Sequence, residues 1–103
     1  MYKLCVYIPL SHLDQVKSAI FEAGGGKIGD YDHCCWQTQG QGQFRPLKNS
    51  QPFIGEPDKI EIVEEVKIEL VVEDSLIKQV IACMKQAHPY EEPAYNAWLL
   101  ANI

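Results

Sequence analysis

The sequence predicts an α+β domain of ferredoxin-like order, βαββαβ, with two helices covering one face of an antiparallel sheet. Three observations carry this reading. Residues 2–8 and 60–72 alternate in the manner of strands, and the second run is unusually long. Residues 13–23 and 76–84 carry apolar side chains at helical spacing. Each helical stretch follows one of the strand segments, and shorter strand signals fill the remaining two places. With 103 residues, 47% of them hydrophobic, the chain is one domain, 1–103, with enough apolar material for one core.

The elements follow in order. In Tyr2–Ile8, Leu4, Val6 and Ile8 share one face and Cys5 and Tyr7 the other, which marks a central strand. Pro9 ends it, and Ser11 is the expected helix N-cap, with Asp14 in the place of a capping-box acid. Leu13, Val16, Ala19, Ile20 and Ala23 form the apolar stripe of the first helix, which Gly24-Gly25-Gly26 terminates. The run Gly24–Gly29 matches the spacing G-x-G-x-x-G, but it closes a helix and leads into a strand. A dinucleotide fingerprint needs the reverse order. A second strand is expected over Tyr31–Thr38, followed by a turn or bulge at Gly40 and Gly42 and a long loop over about 38–59. On the long strand Ile60, Ile62, Val66, Ile68, Leu70 and Val72 share one face. Its length implies a bend or an extension beyond the sheet. Asp74 or Ser75 is the expected cap of a second helix ending near Ala87-His88-Pro89, and Tyr95–Leu100 is the last strand.

Composition excludes several classes of function. The formal net charge is −5 with no basic run, which argues against nucleic acid or an anionic membrane as the partner. No segment approaches the roughly 20 apolar residues of a membrane span, and no secretory leader is visible at the N-terminus, so a cytoplasmic protein is expected. Cys5, Cys34, Cys35 and Cys83 show no paired zinc spacing and are expected as reduced, mostly buried thiols.

The densest chemistry is His88-Pro89-Tyr90-Glu91-Glu92-Pro93-Ala94-Tyr95. His88, Glu91 and Glu92 have the side chains of a divalent-metal site, and His33 with Cys34 or Cys35 those of a softer one. Adjacent Glu91 and Glu92 diverge on an extended segment. The first reading is therefore a stiff connector, with Pro89 and Pro93 fixing the exit from the second helix and one glutamate bonding backbone or a neighbouring subunit. Metal binding through His88 and Glu91, or His33 and Cys34, is the second. Trp36 and Trp98 are packing or interface candidates, and Arg45 is the best lone candidate for an anion or an intersubunit carboxylate. Tyr90, Glu91 and Glu92 complete the ligand or interface set. No catalytic constellation is apparent, and a non-enzymatic role is expected.

Four ordered motifs, GKIGDYDHCCW, GQGQFRPL, PFIGE and AHPYEEPAY, span nearly the whole chain. They closely resemble the inserted domain of the YqfO/Nif-like family, which is itself similar to the trimeric PII and CutA proteins. The resemblance implies a PII/CutA-like fold and a homo-oligomer, most simply a trimer. It further implies an oligomerisation or regulatory module that takes a protein or small effector through the 38–59 loop and subunit clefts. The alternative it implies is a divalent-metal-binding protein of CutA type. The histidine and acid motifs of the family's metal pair lie in flanking halves that this sequence does not contain. The basic anion-binding residues of nucleotide-binding PII proteins are also missing, leaving only Arg45, Lys48 and Lys59 in the presumed loop.

Overall fold

The structure, a computed structural model, describes all 103 residues. Its elements are β1 (Tyr2–Pro9), α1 (Leu13–Glu22), β2 (Trp36–Phe44), β3 (Glu61–Val72), α2 (Ile77–Ala87) and β4 (Tyr95–Leu99). The strands form one antiparallel sheet in the order β2-β3-β1-β4. This is the expected βαββαβ sandwich, with both helices on one face.

The apolar alternation places the core. Leu4 pairs with Leu70, Val6 with Ile68 and Ile8 with Val66, so these side chains share the helix-covered face. Val16 and Ile20 from α1 and Ile77, Val80 and Met84 from α2 close over them, all nearly or wholly buried. The opposite face carries Lys3, Cys5 and Tyr7 of β1, the odd-numbered residues of β3, and Trp36, Thr38, Gly40, Gly42 and Phe44 of β2. No helix covers it.

Several boundaries differ from expectation. The second strand is Trp36–Phe44, so the run QGQGQF is strand and the irregular segment is 45–60 rather than 38–59. Glutamine and glycine have little strand propensity of their own, and pairing with β3 along nine residues overrides it. Cys34 and Cys35 precede the strand. Ser11 does not cap α1: it lies in a short 3-10 turn, Leu10–His12, and its hydroxyl meets His12 Nδ1 at 2.8 Å. Neither Asp74 nor Ser75 caps α2, whose N-cap is Leu76. Gly24 does take the left-handed conformation after α1, with φ 105°. Of the cysteines only Cys5 is buried; the other three are half-buried, and none forms a disulfide.

β3 does run past the rest of the sheet. Residues 65–72 pair with β1, whereas 61–64 pair only with β2. The result is a two-stranded arm and an elongated molecule of 46 × 24 × 23 Å. No helix is long and apolar enough to cross a membrane.

A cleft on the open face of the sheet

Pro89 disfavours a helical conformation for the residue before it. His88 accordingly leaves α2 with φ −73° and ψ 136°, and its ring turns inward to 6% exposure. Nε2 lies 2.8 Å from the carbonyl oxygen of Tyr7, and the Tyr90 N–H donates to Nδ1 at 3.2 Å. One tautomer satisfies both bonds, with the proton on Nε2. Burial is the main cause that pulls the His88 pKa below its ordinary 6.5, outweighing the Tyr7 carbonyl and the charge of Glu65. With both nitrogens engaged, the imidazole is a structural pin between the second helix and β1. A second main-chain bond, Tyr7 N–H to the Ala94 carbonyl at 3.1 Å, fixes the far side of the same connector.

The connector presents Tyr90 to the open face. Its hydroxyl donates to Glu65 Oε2 at 2.8 Å. Burial first, then that carboxylate, pushes the phenol well above its ordinary range, so it stays protonated at any physiological pH. Phe44 and Phe53 approach the Tyr90 ring with centroids at 6.0 and 6.4 Å, and Phe53 also meets His12 edge-on at 5.3 Å. Glu91 accepts the Gln51 N–H at 3.0 Å, which ties the 45–60 loop to the connector.

Sheet, loop and connector enclose a cleft of about 710 Å³. That is within the range of small-molecule sites, roughly 300–1,000 Å³. Tyr7, Thr38, Gly40, Glu65 and Lys67 form its floor, and Arg45 stands towards the tip of the arm.

The structure brings Arg45, Tyr90, Glu91 and Glu92 together around this cleft. It leaves Trp36 and Trp98 outside, on the same open face but at the other end, 69% and 47% exposed. His33 and Cys34 are also at that end: Cys34 N–H bonds Gly26, whose own N–H bonds Val71. His33 packs on Phe21 and pairs with Asp32. It does not converge with His88 and Glu91, and no three side chains of metal-binding type come together anywhere in the chain. Sequence reasoning missed Tyr7, Glu65, Gly40 and Lys67, which lie on regular strands and join the site only through pairing.

The chain is 46% identical over 102 residues to a protein of Halalkalibacterium halodurans named GTP cyclohydrolase 1 type 2 homolog, and 46% identical over 96 residues to its namesake in Bacillus subtilis. It covers 99% and 93% of itself in these matches, but spans only 27% and 26% of the relatives. The crystal structure of a Bacillus cereus protein related to NIF3 superposes with a TM-score of 0.83 at 40% identity, over 98% of this chain and 26% of that one. The chain belongs to this Nif3-related family, as the counterpart of one of its domains. It therefore represents about a quarter of the length of the family members it matches. The fold is also that of CutA1 from Pyrococcus horikoshii, at a TM-score of 0.71 and 16% identity over 100% of this chain and 86% of that one. No family model matches.

Proposed function

We propose that the domain is a non-catalytic oligomerisation and regulatory binding module, a trimer that takes an effector in the cleft on its open sheet face. One observation carries the reading: helices cover one side of the sheet and none covers the other, which holds an aromatic-walled cleft at one end and two exposed tryptophans at the opposite end. Exposed apolar surface of this kind marks interaction sites. Two open strand edges, β2 and β4, supply the main-chain groups for contact between copies. The similarity to CutA proteins supports the PII/CutA-like fold on which the trimer expectation rests. Cyclohydrolase chemistry, the activity that the relatives' name suggests, is not part of the proposal, because this chain spans only about a quarter of their length.

Light scattering at micromolar concentration tests the assembly. The expected mass is three times the 11.7 kDa of the chain, and a monomer at every concentration would refute it. Metal analysis of tag-free protein tests the alternative of CutA-type divalent-metal binding. Near-stoichiometric metal, lost together in His88→Ala and Glu91→Ala while mass and fold persist, would replace this reading with that one.

A further inference from the structure

Gly40 sits in the middle of β2, directly opposite Glu65, and the pairing runs in register through it. It is not among the glycines with positive φ, so its backbone does not demand glycine. A Cβ built on it would meet nothing within 4 Å. Gly42 is different: a Cβ there would run into the Glu65 carboxylate, so the chain itself accounts for it. Glycine weakens a strand, and inside one it marks a bulge, a bend, or the close approach of a ligand or another backbone. Regular pairing removes the bulge. What remains is a gap in the floor of the cleft that nothing within the chain uses.

The polar groups around that gap are specific. Lys67 lies in register with Thr38 on one side and Tyr7 on the other. Its nearest carboxylate oxygen belongs to Glu69, 3.9 Å away, too far for a hydrogen bond. Glu65 spends Oε2 on the Tyr90 hydroxyl and keeps Oε1 free to accept. The walls are rings: Tyr90, Phe44 and Phe53. Glu91 and Glu92 in the same lining repel a polyanion.

We propose that the cleft takes a planar heteroaromatic molecule with a single acidic group. It lies over the Gly40 main chain, with the acid at Lys67 and an N–H donor directed to Glu65. The loop that roofs the cleft, tied down by the Gln51–Glu91 bond, favours a small molecule here over the strand of another chain. The inference rests on the reading of this cleft as the module's ligand site.

The probe is indole-5-carboxylate, titrated into the full chain by calorimetry and followed by saturation-transfer NMR. Saturable binding is expected. Lys67→Met weakens it tenfold or more. Gly40→Val abolishes it while keeping or raising the melting temperature, because valine favours strand. Benzofuran-5-carboxylate, which lacks the N–H, and indole-5-carboxamide, which lacks the charge, bind more weakly than the parent. Lys67→Met erases the difference between acid and amide. No saturable binding up to millimolar probe overturns the proposal, as does equal affinity for acid and amide in the wild type. So does wild-type affinity in Gly40→Val; a changed mass in that variant with binding intact would assign the gap to a second copy instead. A wild-type monomer that binds the probe removes the assembly reading alone, and a trimer that does not bind removes this one alone.

Discussion

The inner and outer halves of β3 have the same kind of sequence and opposite fates. Val66 and Ile68 are 2% and 0% exposed, whereas Ile62, on the same face, is 60% exposed. Length explains the difference. A strand of twelve residues extends about 40 Å at 3.3 Å per residue. Helices of ten and eleven residues extend only about 15 Å at 1.5 Å per residue. The helices can cover only part of the strand, and the remainder becomes an arm held by β2 and the 45–60 loop. Alternation specifies a strand; what covers it is decided elsewhere in the chain.

The largest effect that would sharpen this contrast is a core truncation. Ile68→Ala is expected to destabilise by about 2–5 kcal/mol in denaturant unfolding, through lost burial plus a cavity. Ile62→Ala is expected to stay within about 0.5 kcal/mol in the unassembled chain. Equal losses at the two positions would break the comparison.

The next largest effect concerns the pin between α2 and β1. His88→Ala leaves the Tyr7 carbonyl and the Tyr90 N–H without partners, at a cost of about 1–3 kcal/mol. The same residue predicts an acid dependence. Its folded-state pKa is lowered, so below about pH 6.5 the unfolded chain binds a proton that the folded chain resists. Its contribution is complete above pH 6.5 and is lost as the pH falls from there towards the lowered folded-state value. Thermal melts of wild type and His88→Gln between pH 7.5 and 5 check this: the wild type should show the steeper decline.

The architecture was legible because its signals are periodic. Leu4, Val6 and Ile8, the long β3 run and the two helical stripes each repeat often enough to fix element type and face. The cleft was half legible. Tyr90, Glu91, Glu92 and Arg45 stood out because prolines or unusual local chemistry surround them. Its floor did not stand out, because Gln-Gly-Gln-Gly carries no apolar alternation and becomes a strand only by pairing with β3. The bond from His88 to the Tyr7 carbonyl was not legible, because the two residues are 81 positions apart. Glu91 does bond backbone, as expected of one of the two glutamates, through the exposed Gln51 N–H of the neighbouring loop.

Two smaller effects test how the connector is fastened to the sheet and to the 45–60 loop. Tyr90→Phe removes the bond to Glu65 and is expected to cost about 0.5–1.5 kcal/mol, read from chemical denaturation. Glu91→Ala should change global stability by less than about 0.5 kcal/mol, since the bond it loses is exposed. Its signature is local: hydrogen exchange at the amides of Ser50, Gln51, Phe53 and Ile54 should accelerate while the core amides keep their protection. Accelerated exchange throughout β1 and β3 would mean that arm and body unfold as one unit.

The central place of β1 also bears on the order in which the protein comes into being. Both of its partners are made later: β3 is complete only at residue 72 and β4 only at residue 99. Leu4, Val6 and Ile8 therefore stay unpaired while the residues up to β3 are made. Such distant pairings slow folding, since the entropy of closing the long loop is lost before the contacts that offset it can form. Within this domain the first strand in the order is among the last to find its full set of neighbours, and until then its apolar face is open to aggregation or to capture by a chaperone.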